Sequence, residues 1–234
     1  NQPYDAPNGA LCVNFNTVAF RREGNRWISG EPQTPLLPFA IPMIEASGQT
    51  EGRITLAANS DAALQYTGQM FRYFLQQAGI ATSGVIRRGQ ANEVEHALLW
   101  RYRSEEELSA VIKALLEFSN NFIANQLLLV TGAHGNPGPA RMNHGVAALT
   151  RYLESRLGIT SATIVEGSGI SRRNRISPRT MMAILNDFAP HHHLLRKKGR
   201  QFYKTGHLKG IRTRAGYLMD AQGERVRFVV MVNT

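Results

Sequence analysis

In the stretch RQFYKTGHLKGIRTRAGYL, residues 200–218, two extended runs flank a Lys-Thr-Gly triplet. The run Arg200–Lys204 predicts one strand and Ile211–Leu218 predicts another. A third, Val226–Val232, follows, and the Asp220–Gly223 turn predicts that the last two form an antiparallel hairpin. The triplet therefore falls at the end of a strand that has antiparallel neighbours.

Upstream of this sheet the apolar period becomes helical. Ser177-Pro178 predicts the start of a helix through Met181, Met182, Ile184, Leu185 and Phe188, stopped by Pro190. A short apolar strand is expected over Ala162–Val165, and before it a helix from Pro139 to Leu157, ended by Gly158. Gly132–Pro139 reads as a loop without the Gly-Lys-Ser/Thr ending of a phosphate loop. Further upstream, Leu108, Val111, Ile112, Leu115 and Leu116 recur at helical spacing to Phe118, behind a capping box of Ser104 and Glu107, and a second helix follows over Phe122–Val130.

The first hundred residues read as mainly strand. Leu11, Val13 and Phe15 alternate with Asn14 and Asn16, which predicts a half-buried strand over Ala10–Phe20 before a Gly24-Asn25 turn. Pro32–Pro42 suits edges and connections, while Gly52–Ala58 and Ala81–Arg87 predict short strands. One helix is expected between them, capped by Ser60 or Asp61, lined by Leu64, Met70, Phe71, Phe74 and Leu75, and stopped by Gly79. These patterns predict an α+β chain of two domains, 1–98 and 99–234.

With 234 residues, 43% of them hydrophobic, the chain has the means for one good core or two modest ones. No apolar run approaches the roughly 20 residues of a membrane span, and no leader pattern opens the sequence at Asn1. A lone Cys12 excludes an internal disulfide. The net charge of +10 is concentrated late: Ser168–Thr234 holds 14 Lys/Arg against 3 Asp/Glu, or +11. Such a segment attracts polyanions, acidic lipid headgroups or carboxylate-bearing substrates.

Three motifs stand in order: Ser119-Asn120-Asn121 at a helix junction, Glu166-Gly167-Ser168-Gly169-Ile170-Ser171-Arg172 followed by Asn174, and Lys204-Thr205-Gly206. Each alone is as readily a helix cap or a turn. Together they resemble the second and third signatures of the penicillin-binding and β-lactamase fold, with the intervening segment similar to that of the class C, DacB-type serine D-Ala-D-Ala carboxypeptidases/endopeptidases. Ala10–Asn16, Gln76–Ile80, Phe118–Asn125 and Gly210–Leu218 also look like family sequence. The resemblance implies the later part of a penicillin-binding/β-lactamase-like transpeptidase domain, an antiparallel sheet with helices, preceded by part of a β-rich inserted domain.

The resemblance also implies roles. Ser119 would relay a proton toward the leaving amine, Asn121 would position the substrate peptide and the catalytic lysine, and Lys204 would complete the catalytic group. Thr205, Gly206 and His207 would bind substrate, Lys204 and Thr205 holding its terminal carboxylate. Gly167, Ser168, Gly169, Ser171 and Arg172 would support the site. Glu166 stands where the family commonly has Asp, and His207 where it has Thr or Ser. The implied partners are peptidoglycan stem peptides and acylating β-lactams, with an anionic membrane surface also suited to the charge. The implied location is periplasmic or otherwise extracytoplasmic, soluble or peripherally attached to the membrane.

The family's first signature, Ser-x-x-Lys, is absent: none of the twelve serines has lysine three residues on, and Ser109 has Lys113 at four. Losing a nucleophile costs a serine hydrolase on the order of a million-fold in turnover, so these residues alone are expected to be inactive. A nonenzymatic relative that binds peptidoglycan or a partner is the alternative. The family fold also implies that the Val226–Val232 edge is covered by an N-terminal segment or a second chain.

His191-His192-His193 lacks accompanying carboxylates or cysteines, so neither a metal nor a cofactor is expected. The clusters Arg172-Arg173-Asn174-Arg175 and Arg196–Arg200 have few interleaved aromatics, so no nucleic acid is expected either.

Overall fold

The structure, a computed structural model, describes residues 6–56, 60–92 and 94–234. It divides into two compact units, Asn1–Arg103 and Ser104–Thr234.

The first unit is built on a three-stranded sheet. Strand β1 (Thr17–Glu23) pairs antiparallel with β2 (Arg26–Ser29) and with β3 (Glu51–Thr55), giving the order β2-β1-β3. The expected Gly24-Asn25 turn joins the first two, with Gly24 at φ 58°. Helices α1 (Ile41–Ser47) and α2 (Ser60–Gln77) complete the unit. Its core gathers Val18, Phe20, Leu37, Ile44, Leu56, Tyr66 and Met70, and Trp27 meets Phe20 edge-on at 5.6 Å.

Several expectations for this unit need correction. The strand expected over Ala10–Phe20 begins only at Thr17, because Asn14, Phe15 and Asn16 take φ of 48°, 61° and 56° and form a left-handed turn. Their side chains explain the departure. The Asn14 amide donates to Thr34 Oγ1 and Glu31 Oε2, and the Asn16 amide donates to the Pro7 carbonyl at 2.8 Å. Such side-chain bonds compete with a strand ladder.

The proline-punctuated segment carries α1, with Pro42 in its first turn, where a missing N–H costs nothing. On α2 the buried residues are Ala63, Tyr66 and Met70, while Phe71 and Phe74, expected on one apolar face with Met70, are 67% and 45% exposed. Gly79 stops this helix at φ 78° as expected. Ala81–Arg87 forms no strand. It lies instead against α2, with the Arg72 guanidinium donating to the Gly84 carbonyl at 2.9 Å. Residues 57 and 58, the end of the strand expected over Gly52–Ala58, lie outside the described residues, and β3 ends at Thr55.

The second unit opens with α3 (Leu108–Phe118), α4 (Asn121–Ala133), α5 (Met142–Leu157) and α6 (Pro178–Asp187). Ser104 does not form a capping box: its hydroxyl accepts from the Glu106 N–H at 3.1 Å, and α3 starts after Glu107. The helix expected from Pro139 starts at Met142. Helices α4 and α5 pack through paired glycines, where a Cβ on Gly145 would stand 2.2 Å from the Leu128 carbonyl oxygen. The strand expected at Ala162–Val165 is reduced to one bridge, Thr163 to Arg175. Ser177 caps α6 as its sequence suggests, accepting from the Thr180 N–H at 3.1 Å.

The closing sheet has the order β4-β5-β6-β7, all antiparallel: β4 (Arg196–Lys198), β5 (Gln201–Leu208), β6 (Ile211–Met219) and β7 (Arg225–Asn233). The hairpin between β6 and β7 forms as expected, whereas β4 was not foreseen. Tyr217, Phe202, Ala215 and Val229 face the helices and pack with Leu185 and Leu195, and the Tyr217 hydroxyl donates to the Leu185 carbonyl. Burial pushes that hydroxyl's pKa up to about 12, so it stays a donor. At the far edge Val226 and Val230 are 51% and 52% exposed on β7, which among the described residues pairs only with β6. This assembly is the mixed helix and antiparallel-sheet architecture that the sequence predicts. No helix among the described residues is long and apolar enough to cross a membrane.

Candidate active site

Helix α3 cannot run directly into α4, because Ser119 between them takes the left-handed conformation at φ 54°, ψ 47°. Asn120 then caps α4, its side-chain oxygen accepting from the Ile123 N–H at 3.0 Å. The junction is thus fixed from both sides. It leaves the Ser119 hydroxyl exposed and sets Asn121 as the first residue of α4.

Strand β5 brings the other half. Its even positions, Phe202 and Lys204, share the helix-covered face by strand alternation. Lys204 therefore extends toward the α3–α4 junction, and its ammonium donates to Ser119 Oγ and, at 2.8 Å, to the Thr205 carbonyl. Burial lowers the Lys204 pKa, since leaving water disfavours the ammonium. A hydroxyl that accepts from an ammonium keeps its own proton free to donate elsewhere.

Thr205 and His207 fall on the opposite face from Lys204. They remain exposed, as does Gly206. A Cβ on Gly206 would stand 2.5 Å from Thr213 Oγ1 on β6. Strand β4 pairs β5 only at Gln201, Phe202 and Tyr203, so among the described residues Lys204–Leu208 has an open backbone edge on that side.

The third motif forms a loop closed on its own carboxylate. Glu166 Oε2 accepts from the Ser168 N–H at 2.7 Å and from the Ser168 hydroxyl, while Oε1 accepts from the N–H groups of Gly169 at 2.9 Å and Ser171 at 3.2 Å and from the Asn174 amide. Burial alone would raise the Glu166 pKa. The bonds from Ser168, Ser171 and Asn174 outweigh it and hold the carboxyl below the ordinary glutamate range.

The loop is anchored at three points. The Gly167 N–H donates to Asn125 Oδ1 on α4 at 2.7 Å, the Val165 N–H donates to Asn174 Oδ1 at 2.8 Å, and the Arg172 guanidinium donates to the Lys209 carbonyl beyond β5. Gly167 has no room for a side chain, because a Cβ would stand 2.7 Å from the Ala124 carbonyl oxygen. Asn125 was not singled out by its sequence; only its place one helical turn after Asn121 marks it.

Of the expected residues, Ser119 and Lys204 are in direct contact, and Arg172 ties its loop to the turn that follows β5. His191, His192 and His193 lie in a 3-10 turn instead, with His192 packed edge-on to Phe202 at 5.0 Å. A 670 Å3 cavity on α5, lined by Met142, Val146, Ala147 and Val165 among others, includes none of the expected site residues.

Helices packed on antiparallel sheets form the α+β fold that carries this site. The sequence pattern of the D-Ala-D-Ala carboxypeptidase 3 (S13) family matches residues 45–199, more than half of the chain, and the protein belongs to this family. The match takes in Ser119–Asn121 and the Glu166 loop and ends just before β5.

The D-alanyl-D-alanine carboxypeptidase DacB of Haemophilus influenzae is 28% identical over 200 residues, covering 75% of this chain and 41% of that protein. The crystal structure of penicillin binding protein 4 (dacB) from the same organism matches with a TM-score of 0.74 at 20% identity, covering 99% of this chain and 63% of the other. A second crystal structure of that protein, complexed with a β-lactam, matches with a TM-score of 0.63 at 25% identity over 78% of this chain and 46% of the other. The chain thus spans less than two thirds of the length of these relatives.

Proposed function

We propose that residues 1–234 form part of a serine-type D-alanyl-D-alanine carboxypeptidase/endopeptidase that acts on peptidoglycan stem peptides through an acyl-enzyme. The observation that carries this reading is the Lys204 to Ser119 hydrogen bond across the helix junction and β5. It joins two motifs 85 residues apart in sequence. In this reading residues 1–98 are part of an inserted domain, and residues 99–234 are the later part of the catalytic domain.

The roles follow from the chemistry of each group. A substrate peptide lies extended along the open edge of β5, taking main-chain hydrogen bonds there as an added strand does. Gly206 lets its backbone come close. The terminal carboxylate is held by the Lys204 ammonium and the Thr205 hydroxyl. Those two side chains leave the strand on opposite faces, so the carboxylate they share sits at the edge itself. Ser119 accepts from Lys204 and passes its own proton to the leaving amine, and Asn121 holds the peptide amide. The Glu166 loop, through Gly167, Ser168, Gly169, Ser171 and Arg172, keeps α4 and the β5–β6 turn in register around the site.

The attacking serine and its lysine are not among these residues, because no serine has lysine at the third position after it. Residues 1–234 therefore bind substrate without turning it over. β-Lactams acylate the complete enzyme, which works outside the cytoplasmic membrane, and the +11 charge of Ser168–Thr234 favours the anionic surfaces found there.

The test is exposure of this polypeptide to a fluorescent penicillin beside binding of an acetylated D-Ala-D-Ala dipeptide. Specific dipeptide binding without a labelled band supports the reading. A labelled band refutes the missing-nucleophile claim, and absence of dipeptide binding refutes the substrate claim. The nonenzymatic reading is favoured by the same missing motif. It is supported if a chain that extends beyond residues 1–234 also fails to acylate.

A further inference from the structure

The first unit carries a cavity of 410 Å3 between α2 and the chain that doubles back along it. On α2, Gln65, Gln69 and Arg72 recur at helical spacing and share one face, with Tyr73 beside them. Gly84 and Ile86 form the opposite wall. Two contacts hold that wall in place. The Arg72 guanidinium donates to the Gly84 carbonyl at 2.9 Å, and Ile86 lies against Gly68, where a Cβ would stand 2.7 Å from its Cγ2.

The polar groups of the lining are mostly neutral. Gln65 and Gln69 are half-buried, and among the described residues neither carboxamide meets a hydrogen-bond partner. Such groups gain most from a ligand that both donates and accepts. Among the described lining residues Arg72 is the one charged group, and it is tied to Gly84. A single engaged cation favours a neutral ligand over an ion. Tyr73 adds a fixed apolar wall, half-buried against the core of the unit and edge-on to Phe74 at 5.4 Å. A sugar ring has the matching surfaces, hydroxyls at its rim and C–H groups on its faces.

An N-acetylated sugar fits further. Its secondary amide is trans and presents N–H and C=O on opposite sides. Gln65 and Gln69 stand one helical turn apart, so each takes one of them: an Oε1 accepts from the N–H and an Nε2 donates to the C=O.

We propose that this cavity is a binding site for an N-acetylated amino sugar of a glycan chain. The kind of sugar rests on the peptidoglycan reading above, because the glycan that carries the stem peptides is built of such units. A hold on the glycan, separate from the hold on the peptide, raises the local concentration of stem peptides and keeps the protein on one polymer between encounters.

The experiment is an NMR titration of the 234-residue chain with the tetramer of N-acetylglucosamine and, separately, with N-acetyl-D-Ala-D-Ala. The tetramer shifts the Gln65 and Gln69 side-chain amide signals saturably, and a glucose tetramer, which lacks the acetamido group, binds roughly tenfold more weakly. Gln65→Ala and Gln69→Ala together lower affinity for the acetylated tetramer on the order of tenfold and leave dipeptide binding unchanged. Alanine at these half-buried helix positions keeps α2 intact. No saturable shift, equal affinity in the double variant, or equal binding of the two tetramers overturns the inference. A dipeptide that shifts the same two amide signals also overturns it, by making the cavity a peptide site. If the acetylated tetramer binds and the dipeptide does not, the carboxypeptidase reading falls and the sugar site stands; the reverse result removes the sugar site alone.

Discussion

Lys204 and Thr205 are neighbours in β5 that leave the strand on opposite faces, and the Lys204 ammonium folds back to the Thr205 carbonyl at 2.8 Å. One cation is thereby tied both to the strand's own backbone and to Ser119 on the helical side. Replacing Lys204 with methionine keeps most of the buried stem and removes the charge. The K204M chain is expected to fold and to lose dipeptide binding by at least about tenfold, as a charge-assisted contact requires. Titration calorimetry with the acetylated dipeptide checks this.

The same lysine sets a pH dependence. Burial lowers its folded pKa, so between the folded and unfolded values the unfolded chain binds more protons and stability rises with pH. Anion binding runs the other way, because the ammonium is lost before an ordinary lysine would be. Dipeptide affinity is expected to fall with rising pH from below the ordinary lysine range, and K204R is expected to abolish that fall. Affinity measured across the alkaline range, with NMR titration of Lys204 Nζ, reads both.

Ser119 offers a separation of stability from function. A non-glycine residue in the left-handed region costs roughly 1–2 kcal/mol, of which glycine's larger unfolded-state freedom takes back part. S119G is therefore expected to melt no lower than the wild type, with a gain of at most about 1 kcal/mol, while losing the hydroxyl that accepts from Lys204. S119A loses the hydroxyl without the backbone relief. Thermal melts set beside dipeptide binding distinguish the two variants.

Glu166 holds its loop by charge. With its folded pKa depressed, the stability it contributes is present above the ordinary glutamate value and is lost as pH falls through the folded one. E166Q presents an amide to a cradle of donors and is expected to cost about 2 kcal/mol at neutral pH. The same variant flattens the acid limb of stability. Urea melts between neutral pH and the acid limb give both numbers.

Helices α4 and α5 cross closely at Gly132 and Gly145. A Cβ at Gly145 meets Leu128 backbone at 2.2 Å, and backbone cannot swing aside as a side-chain tip can. G145A is expected to destabilise by about 3 kcal/mol or to prevent folding of the second unit. G158A tests the left-handed cap at the other end of α5, at φ 66°, and costs less, about 1 kcal/mol.

The sequence carried the late sheet and its helices well, because Ser177, Gly158 and the Asp220–Gly223 turn each act through short-range geometry. It misled where a polar side-chain bond beats a periodic pattern. Leu11, Val13 and Phe15 alternate like a strand, yet the Asn14 and Asn16 side chains bind distant groups and turn the backbone left-handed. Ser104 and Glu107 have the spacing of a capping box, and the hydroxyl chose Glu106 instead.

The motif residues were legible by type and order. Which of them meet was not. Contact between Ser119 and Lys204 depends on which face of β5 the lysine takes, and that follows from Phe202 and Tyr217 sharing the helix-covered face. The Arg212 to His207 contact depends on the β5–β6 register, which no pattern within either strand specifies.

Strand β4 pairs β5 only as far as Tyr203, and among the described residues the edge beyond it is open. A strand edge left open for a peptide is equally open to the same edge of another molecule, the usual route to unwanted self-pairing. Two copies meeting there would bring Lys204 and Arg212 of one near those of the other, and cations opposed at close range repel. The charge that draws in an anionic guest also keeps copies of the protein apart.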